Sequence, residues 1–213
     1  MKCLILISAP GAGKGTVSDY IKSKYDVDHI STGNLLRKKA LEDTNSSKYI
    51  KGFLDKGLLV DDDTLISVLE EKLKNQKKDF ILDGTPRVLN QAILLEDLFK
   101  KYNIILDKVL FINIDYNIAL ERIKKRRICE NCGSIYNSYE IDKCEKCGGN
   151  LIKRSDDNEE VYYNRYKQFQ NTTFKLLDYY KNKLITINNN HDMSYLYKEI
   201  DELFKGDDFN DNN

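Results

Sequence analysis

The sequence carries no net charge, since 34 lysines and arginines face 34 aspartates and glutamates. That balance argues against a general nucleic-acid binder, which usually has a basic excess, while leaving room for a local basic site. No apolar run approaches the ~20 residues of a membrane span. The apolar stretch after Met1-Lys2 covers only Cys3 to Ile7 and runs into Pro10-Gly11, too short for the apolar region of a signal peptide. No membrane partner and a cytoplasmic location are therefore expected. There is no internal repeat and no tryptophan, and the only histidines are His29 and His191. Both are read as structural, so the chemistry has to come from other residue types.

What is present is 213 residues, 41% hydrophobic and 32% charged. That is enough for one α/β domain with a buried core and a small insertion. Apolar runs predict buried strands at Cys3–Ile7, Phe80–Leu82, Val109–Ile112 and Leu184–Ile187. Helical spacing falls between them, at about 17–25, 34–41, 47–56, 62–73, 89–101 and 118–126, and again over 159–181. Strands alternating with helices imply an α/β fold, a parallel sheet covered by helices on both faces. The alternation fails between Ile128 and Asp157, where four of the five cysteines fall. The expected organisation is a core of residues 1–127 and 158–205, an inserted subdomain at 128–157, and a polar, disordered tail at 206–213. Cys3 belongs to the first strand and the core.

The segment Ser8-Ala9-Pro10-Gly11-Ala12-Gly13-Lys14-Gly15-Thr16 follows a strand and opens a helix. Triphosphate binding needs this order: glycines turn backbone N–H groups inward, the helix N-terminus adds its dipole, and a lysine reaches the β- and γ-phosphates. The general phosphate-loop pattern is met imperfectly. Ser8 replaces the first Gly, and Gly15 stands where Ser or Thr is usual.

In the insertion, Cys129-x2-Cys132 and Cys144-x2-Cys147 form two knuckles, with Gly133 and Gly148 letting the chain turn behind each. Four thiolates make a closed tetrahedral site, which suits a structural Zn²⁺ rather than a catalytic metal. Free or redox-active thiols are the alternative. Zinc binding of this kind is worth about 10–16 kcal/mol, enough to fold a subdomain with little core.

Three further segments carry polar groups for anions. Ser31-Thr32-Gly33-Asn34-Leu35-Leu36-Arg37 opens a helix, with Arg37 one turn in and able to fork onto a phosphate. Asp83-Gly84-Thr85-Pro86-Arg87 follows a strand at its C-terminal end, where open α/β sheets bind ligands. Arg122 and Arg126 are four apart on an expected helix and share a face, so an anion between them would offset their repulsion. Arg154 and Arg165 follow the insertion, with Asp156 and Asp157 between them.

In this order, these motifs resemble the adenylate kinases, the nucleoside monophosphate kinases with a P-loop core, and specifically those with a zinc-binding lid. Pro-Gly-Ala-Gly-Lys-Gly-Thr is that family's variant of the loop, and the resemblance runs from Met1 to about Phe204. It implies reversible transfer, ATP + AMP = 2 ADP, by a monomer that binds small nucleotides and no nucleic acid. Catalysis would fall to Lys14, Arg37, Arg87, Arg122, Arg126, Arg154 and Arg165, with Asp83 holding Mg²⁺ through water. Substrates would meet Pro10, Gly11, Ala12, Gly13, Gly15 and Thr16 on the donor side. On the acceptor side, within about 31–60 and beyond, they would meet Thr32, Val60, Gly84 and Gln91, the last reading the adenine. Tyr136 matches the lid's aromatic position. Thr32 favours AMP, since related pyrimidine monophosphate kinases tend to carry Ala there.

Departures from the family pattern stand out: Ser8, Asn34 where Asp is usual, Thr85 in place of an aromatic, a shorter gap between the cysteine pairs, and Asn188-Asn189-Asn190 where an Asp-Gly is common after the last strand. The last leaves a GTP:AMP phosphotransferase open as an alternative. A catalytically weak variant, or an inactive nucleotide-binding core with a zinc-ribbon nucleic-acid module, are further alternatives.

Overall fold

The computed structural model describes residues 1–138, 140–154, 156–191 and 193–205. The tail expected at 206–213 lies outside them, as do Ser155 and Asp192.

Five parallel strands form the central sheet: β1 (Lys2–Ser8), β2 (Asp28–Ser31), β3 (Phe80–Asp83), β4 (Ile105–Asn113) and a last strand at Leu184–Asn188, which takes the label β8 in chain order. Their order across the sheet is β2-β3-β1-β4-β8. β1 sits in the middle, and its residues Cys3 to Ile7 are at most 2% exposed, as expected of a strand buried on both faces. The helices are α1 (Lys14–Lys24), α2 (Thr32–Lys39), α3 (Asn45–Asp55), α4 (Asp62–Leu73), α5 (Leu89–Lys101), α6 (Tyr116–Lys125), α7 (Glu159–Gln168), α8 (Phe174–Tyr179) and α9 (Met193–Phe204). A satellite core of Leu36, Ile50, Val60 and Leu65 ties α2, α3 and α4 together apart from the main core. Among the described residues, no helix is long and apolar enough to cross a membrane.

The cysteine segment builds its own antiparallel sheet, in the order β6 (Ile135–Asn137), β5 (Arg126–Cys129), β7 (Leu151–Ile152).

Four differences from the sequence reading have physical causes. β2 was not foreseen: Asp28-His29-Ile30-Ser31 is a short edge strand with one fully buried side chain, so it shows no apolar run. The helix expected over 118–126 ends at Lys125, and Arg126 is extended at φ −61°, ψ 133° as the first residue of β5. Arg122 and Arg126 therefore do not share a helix face. The single helix expected over 159–181 is broken by a π-helical turn at Phe169–Thr173. Within it the Thr172 hydroxyl donates to the Gln168 carbonyl at 2.6 Å, and the Thr173 hydroxyl donates to the Arg87 carbonyl at 3.1 Å. A hydroxyl that bonds the carbonyl four residues earlier, as Thr172 does, loosens the regular helical ladder. Finally, α9 follows the last strand, where no helix had been assigned. It buries Leu196, Ile200 and Phe204, an i, i+4, i+8 stripe, on the main core.

Candidate active site

Strand pairing assembles the site. β1 and β3 run in register with Leu6 opposite Asp83, so the loop after β1 and the Asp83–Arg87 turn emerge side by side. In an open parallel sheet, this is the end at which ligands bind.

The phosphate loop closes tightly. Gly11 and Gly13 have φ of 81° and 86°. A Cβ at Gly11 would stand 2.7 Å from the Ala119 carbonyl oxygen, and one at Gly13 would stand 2.9 Å from Asn189 Nδ2. Only glycine fits at both places. Gly13 offers no side-chain cap, so the first N–H groups of α1 remain available to an anion. The Lys14 ammonium donates to Ser8 Oγ at 2.8 Å and lies 4.0 Å from Asp83 Oδ1.

One cleft of about 830 Å³ is lined by Pro10 to Thr16 and by Lys14, Arg37, Arg87, Arg122, Arg126, Arg154, Arg165 and Asp83. This volume suits a nucleotide-sized ligand. A smaller pocket adjoins it, sharing Gly33, Arg37, Gly84, Arg87 and Arg165, and is also lined by Thr32, Val60 and Gln91. The two chambers thus meet at three arginines. Ile135 and Asn137 of β6 line the large cleft from the far side, and a Cβ on Gly15 would stand 3.0 Å from Ile135 Cδ1. The cysteine segment is therefore folded down onto the phosphate loop. A Cβ on Gly57 would stand 2.7 Å from Val161 Cγ1, so the 31–60 segment is likewise closed against α7.

Five of the six arginines are each held by a partner of their own. Arg126 forks onto Asp157, with Nε donating to Oδ2 at 2.7 Å and Nη2 to Oδ1. Arg165 Nη1 donates to Asp156 Oδ2 at 2.9 Å. Arg87 Nε donates to the Gly84 carbonyl at 2.9 Å. Arg37 Nη2 donates to Asn34 Oδ1 at 2.6 Å. Arg122 Nη2 donates to the Asn189 carbonyl at 3.1 Å. Arg154 Nε is buried and meets no hydrogen-bond partner among the described residues.

These cations crowd one another. Burial pushes Lys14 down to about 8, against the pull of Asp83 and with help from Arg87, Arg165 and Arg126. Burial, then Arg165, pushes Arg87 down to about 10; burial, then Arg126 and Arg37, does the same to Arg154. Burial works to raise Asp83, but Lys14, His29 and Arg87 outweigh it and hold the carboxyl below its ordinary range. A site with this surplus of desolvated positive charge is built to receive polyanions.

Asp83 Oδ1 is buried without a hydrogen-bond partner among the described residues. An orphaned carboxylate oxygen at the mouth of a phosphate loop suits a water of a hydrated Mg²⁺.

The four cysteines also fit a metal. Their Sγ atoms all lie within 4.8 Å of one another, with Cys129–Cys147 at 3.4 Å and Cys132–Cys144 at 3.5 Å. Sulfurs about 2.3 Å from a tetrahedral zinc lie about 3.8 Å apart, whereas a disulfide needs about 2.05 Å. A Cβ on Gly149 would stand 2.9 Å from Cys129 Sγ, so this glycine keeps the cradle open.

The structure brings the sequence-derived catalytic and substrate-binding residues together in these two chambers, except one. Tyr136 faces the thiols: its hydroxyl lies 3.3 Å from Cys144 Sγ and accepts from the Glu145 N–H at 3.0 Å. Alternation along β6 turns Ile135 and Asn137 to the cleft instead. Sequence reasoning named His29 but not its place at the cleft, where its Nε2 lies 3.6 Å from Asp83 Oδ2. It also missed Asn189, fully buried, whose Nδ2 donates to the Ala12 carbonyl at 2.8 Å. The departure after the last strand was visible; its contact with the phosphate loop was not. Thr85, another departure, is buried, and its hydroxyl lies 3.3 Å from Thr32 Oγ1, which in turn donates to the Asp83 carbonyl at 3.1 Å.

Comparison with known proteins agrees with this architecture. A model of the family described as adenylate kinase matches residues 6–185. A protein of Bacillus cytotoxicus named adenylate kinase is 42% identical over 212 residues, covering 95% of this chain and 98% of its own. Proteins of the same name from Bacillus thuringiensis and Bacillus mycoides are each 41% identical with the same coverage.

Proposed function

The chain belongs to the adenylate kinase family, and we propose on that premise that it moves a phosphoryl group reversibly from ATP to AMP, giving two ADP. The observation that carries this reading is the meeting of two chambers at shared arginines. Two polyphosphate chains entering from opposite sides would meet there, end to end.

The reaction asks little covalent work of the protein. It needs in-line alignment and positive charge around the transferred group. In our reading the loop from Pro10 to Thr16 and Lys14 hold the donor phosphates. Arg37 and Arg87 hold the acceptor phosphate. Arg122, Arg126, Arg154 and Arg165 surround the group in flight, and a well-placed arginine is worth roughly 10³ to 10⁵ in rate. The acceptor is already anionic, so no general base is required. Gln91, Thr32 and Val60 receive the acceptor base. Asp83 would hold Mg²⁺ through water, and the ion would supply positive charge against the developing charge on the phosphates. The four cysteines would hold Zn²⁺ as a staple for residues 128–157, which act as a lid over the core of 1–127 and 158–205. The downward packing of Ile135 on Gly15 supports water exclusion by that lid. Residues of a single chain line both chambers, so the reading needs no second subunit and takes the protein as a monomer. The thiol cluster, read as a metal site rather than as disulfides, supports a reducing, cytoplasmic setting.

The test is ADP formation from ATP plus AMP with Mg²⁺, run beside GTP as donor and UMP or CMP as acceptor. We expect ATP–AMP turnover to exceed the other pairs and to fall by at least about 10³ in Lys14→Ala. Folded, zinc-loaded protein that turns over no pair would overturn the reading.

A further inference from the structure

The Gln91 side chain is 1% exposed and is gripped from two directions by groups of opposite hydrogen-bonding character. Its Oε1 accepts from the Arg87 backbone N–H at 2.8 Å. Its Nε2 donates to Asp62 Oδ1 at 2.9 Å. A backbone N–H can only donate, and an ionised carboxylate can only accept. Turning the amide over would set N–H against N–H at one end and oxygen against carboxylate at the other. Asp62 is itself fixed: it stands in the first turn of α4, and its Oδ2 accepts from Asn90 Nδ2 at 2.5 Å.

One amide N–H and one lone pair on Oε1 remain unused, and Gln91 lines the acceptor pocket. Adenine offers an N6 donor beside an N1 acceptor. A 6-oxopurine offers the reverse, an O6 acceptor beside an N1–H donor. An amide free to turn over serves both edges; an amide held one way serves one. We propose that Asp62 is a specificity-determining positioning residue, selecting a 6-aminopurine over a 6-oxopurine monophosphate by locking the Gln91 amide. The proposal rests on the reading of Gln91 as the acceptor-base contact.

Asp62→Asn keeps the shape but can present either an oxygen or an amide N–H to Gln91. Steady-state kinetics with AMP and IMP as acceptors, at saturating MgATP, should show the AMP-over-IMP preference in kcat/KM falling by about tenfold or more. The change should lie in the acceptor KM, with the KM for ATP unmoved. Asn90→Ala, which releases only the far side of Asp62, should shift the preference the same way by less, and serves if Asp62→Asn folds poorly. Gln91→Leu is the companion control. If Gln91→Leu cripples AMP use while Asp62→Asn leaves the AMP-to-IMP ratio unchanged, the proposal is overturned and the reading of Gln91 stands. A lowered Tm with an unchanged ratio would mark Asp62 as structural only and overturn it too. If Gln91→Leu leaves the KM for AMP unchanged, the base contact lies elsewhere and the proposal goes with it.

Discussion

The Lys14 ammonium donates to the Ser8 hydroxyl at 2.8 Å, and that hydroxyl passes its own hydrogen to the Ala9 carbonyl at 2.8 Å. Ser8, a departure from the usual loop glycine, thus supplies the lysine with a hydrogen-bond acceptor in the nucleotide-free enzyme, beside the Asp83 carboxylate at 4.0 Å. Ser8→Ala should therefore lower the stability of the nucleotide-free enzyme by about 1.5 kcal/mol, the low end for a hydrogen bond to a charged group. Saturating ATP should shrink that difference, because phosphate oxygens replace the hydroxyl. Thermal melts of both proteins with and without nucleotide check this; equal losses in the two states would separate Ser8 from Lys14.

The same lysine makes nucleotide binding pH-dependent. Burial pushes free Lys14 down to about 8, and a bound polyphosphate raises it again by supplying negative charge. Above pH 8 the free enzyme has lost a proton that the complex holds, so binding takes one up. The affinity for MgATP should fall as pH rises past about 8, by up to about tenfold per pH unit. Folding runs in the opposite sense. Between about 8 and the ordinary lysine value of 10.5 the unfolded chain holds more protons, so this group's contribution to stability rises with pH across that window. Calorimetric titrations from pH 7 to 9.5 in buffers of different ionisation enthalpy would reveal the proton uptake. A flat affinity would show that Lys14 stays charged throughout.

Metal removal should act on the cysteine segment before the core. That segment has few apolar residues besides Ile128, Ile135, Leu151 and Ile152, so a chelator should abolish amide protection at 126–152 while the central sheet keeps its own. Gly149→Ala pushes a methyl to 2.9 Å from Cys129 Sγ and 2.8 Å from Asn131 Nδ2. It should weaken zinc binding by about ten- to a hundred-fold in a chelator competition. Gly52→Ala, whose added Cβ meets nothing within 4 Å, is the control.

Much of the site was legible because its signals are local. A buried strand, a glycine turn, a lysine and a helix start follow one another within Cys3 to Thr16, and the physics of cradling phosphate needs them in that order. The two Cys-x2-Cys knuckles are likewise a short-range pattern. β2 escaped notice because a short edge strand with one fully buried side chain leaves no periodicity to read. The break at 169–173 escaped because Thr173 answers a partner at Arg87, far away in sequence.

The sequence by itself determined the alternation of strand and helix, the phosphate loop, the thiol pairs and the supply of arginines. Tertiary structure decided which of these groups meet and which way they point. Arg126 leaves its expected helix and is forked by Asp157. Tyr136 turns to the thiols while Ile135 takes the cleft. Asn189 reaches back to Ala12 across 177 residues, and Asp62 orients Gln91 from another helix. Local pattern fixes the conformation of a segment through its own backbone and side chains. The polarity and direction of a hydrogen bond between distant segments exist only once burial has removed water as the competing partner.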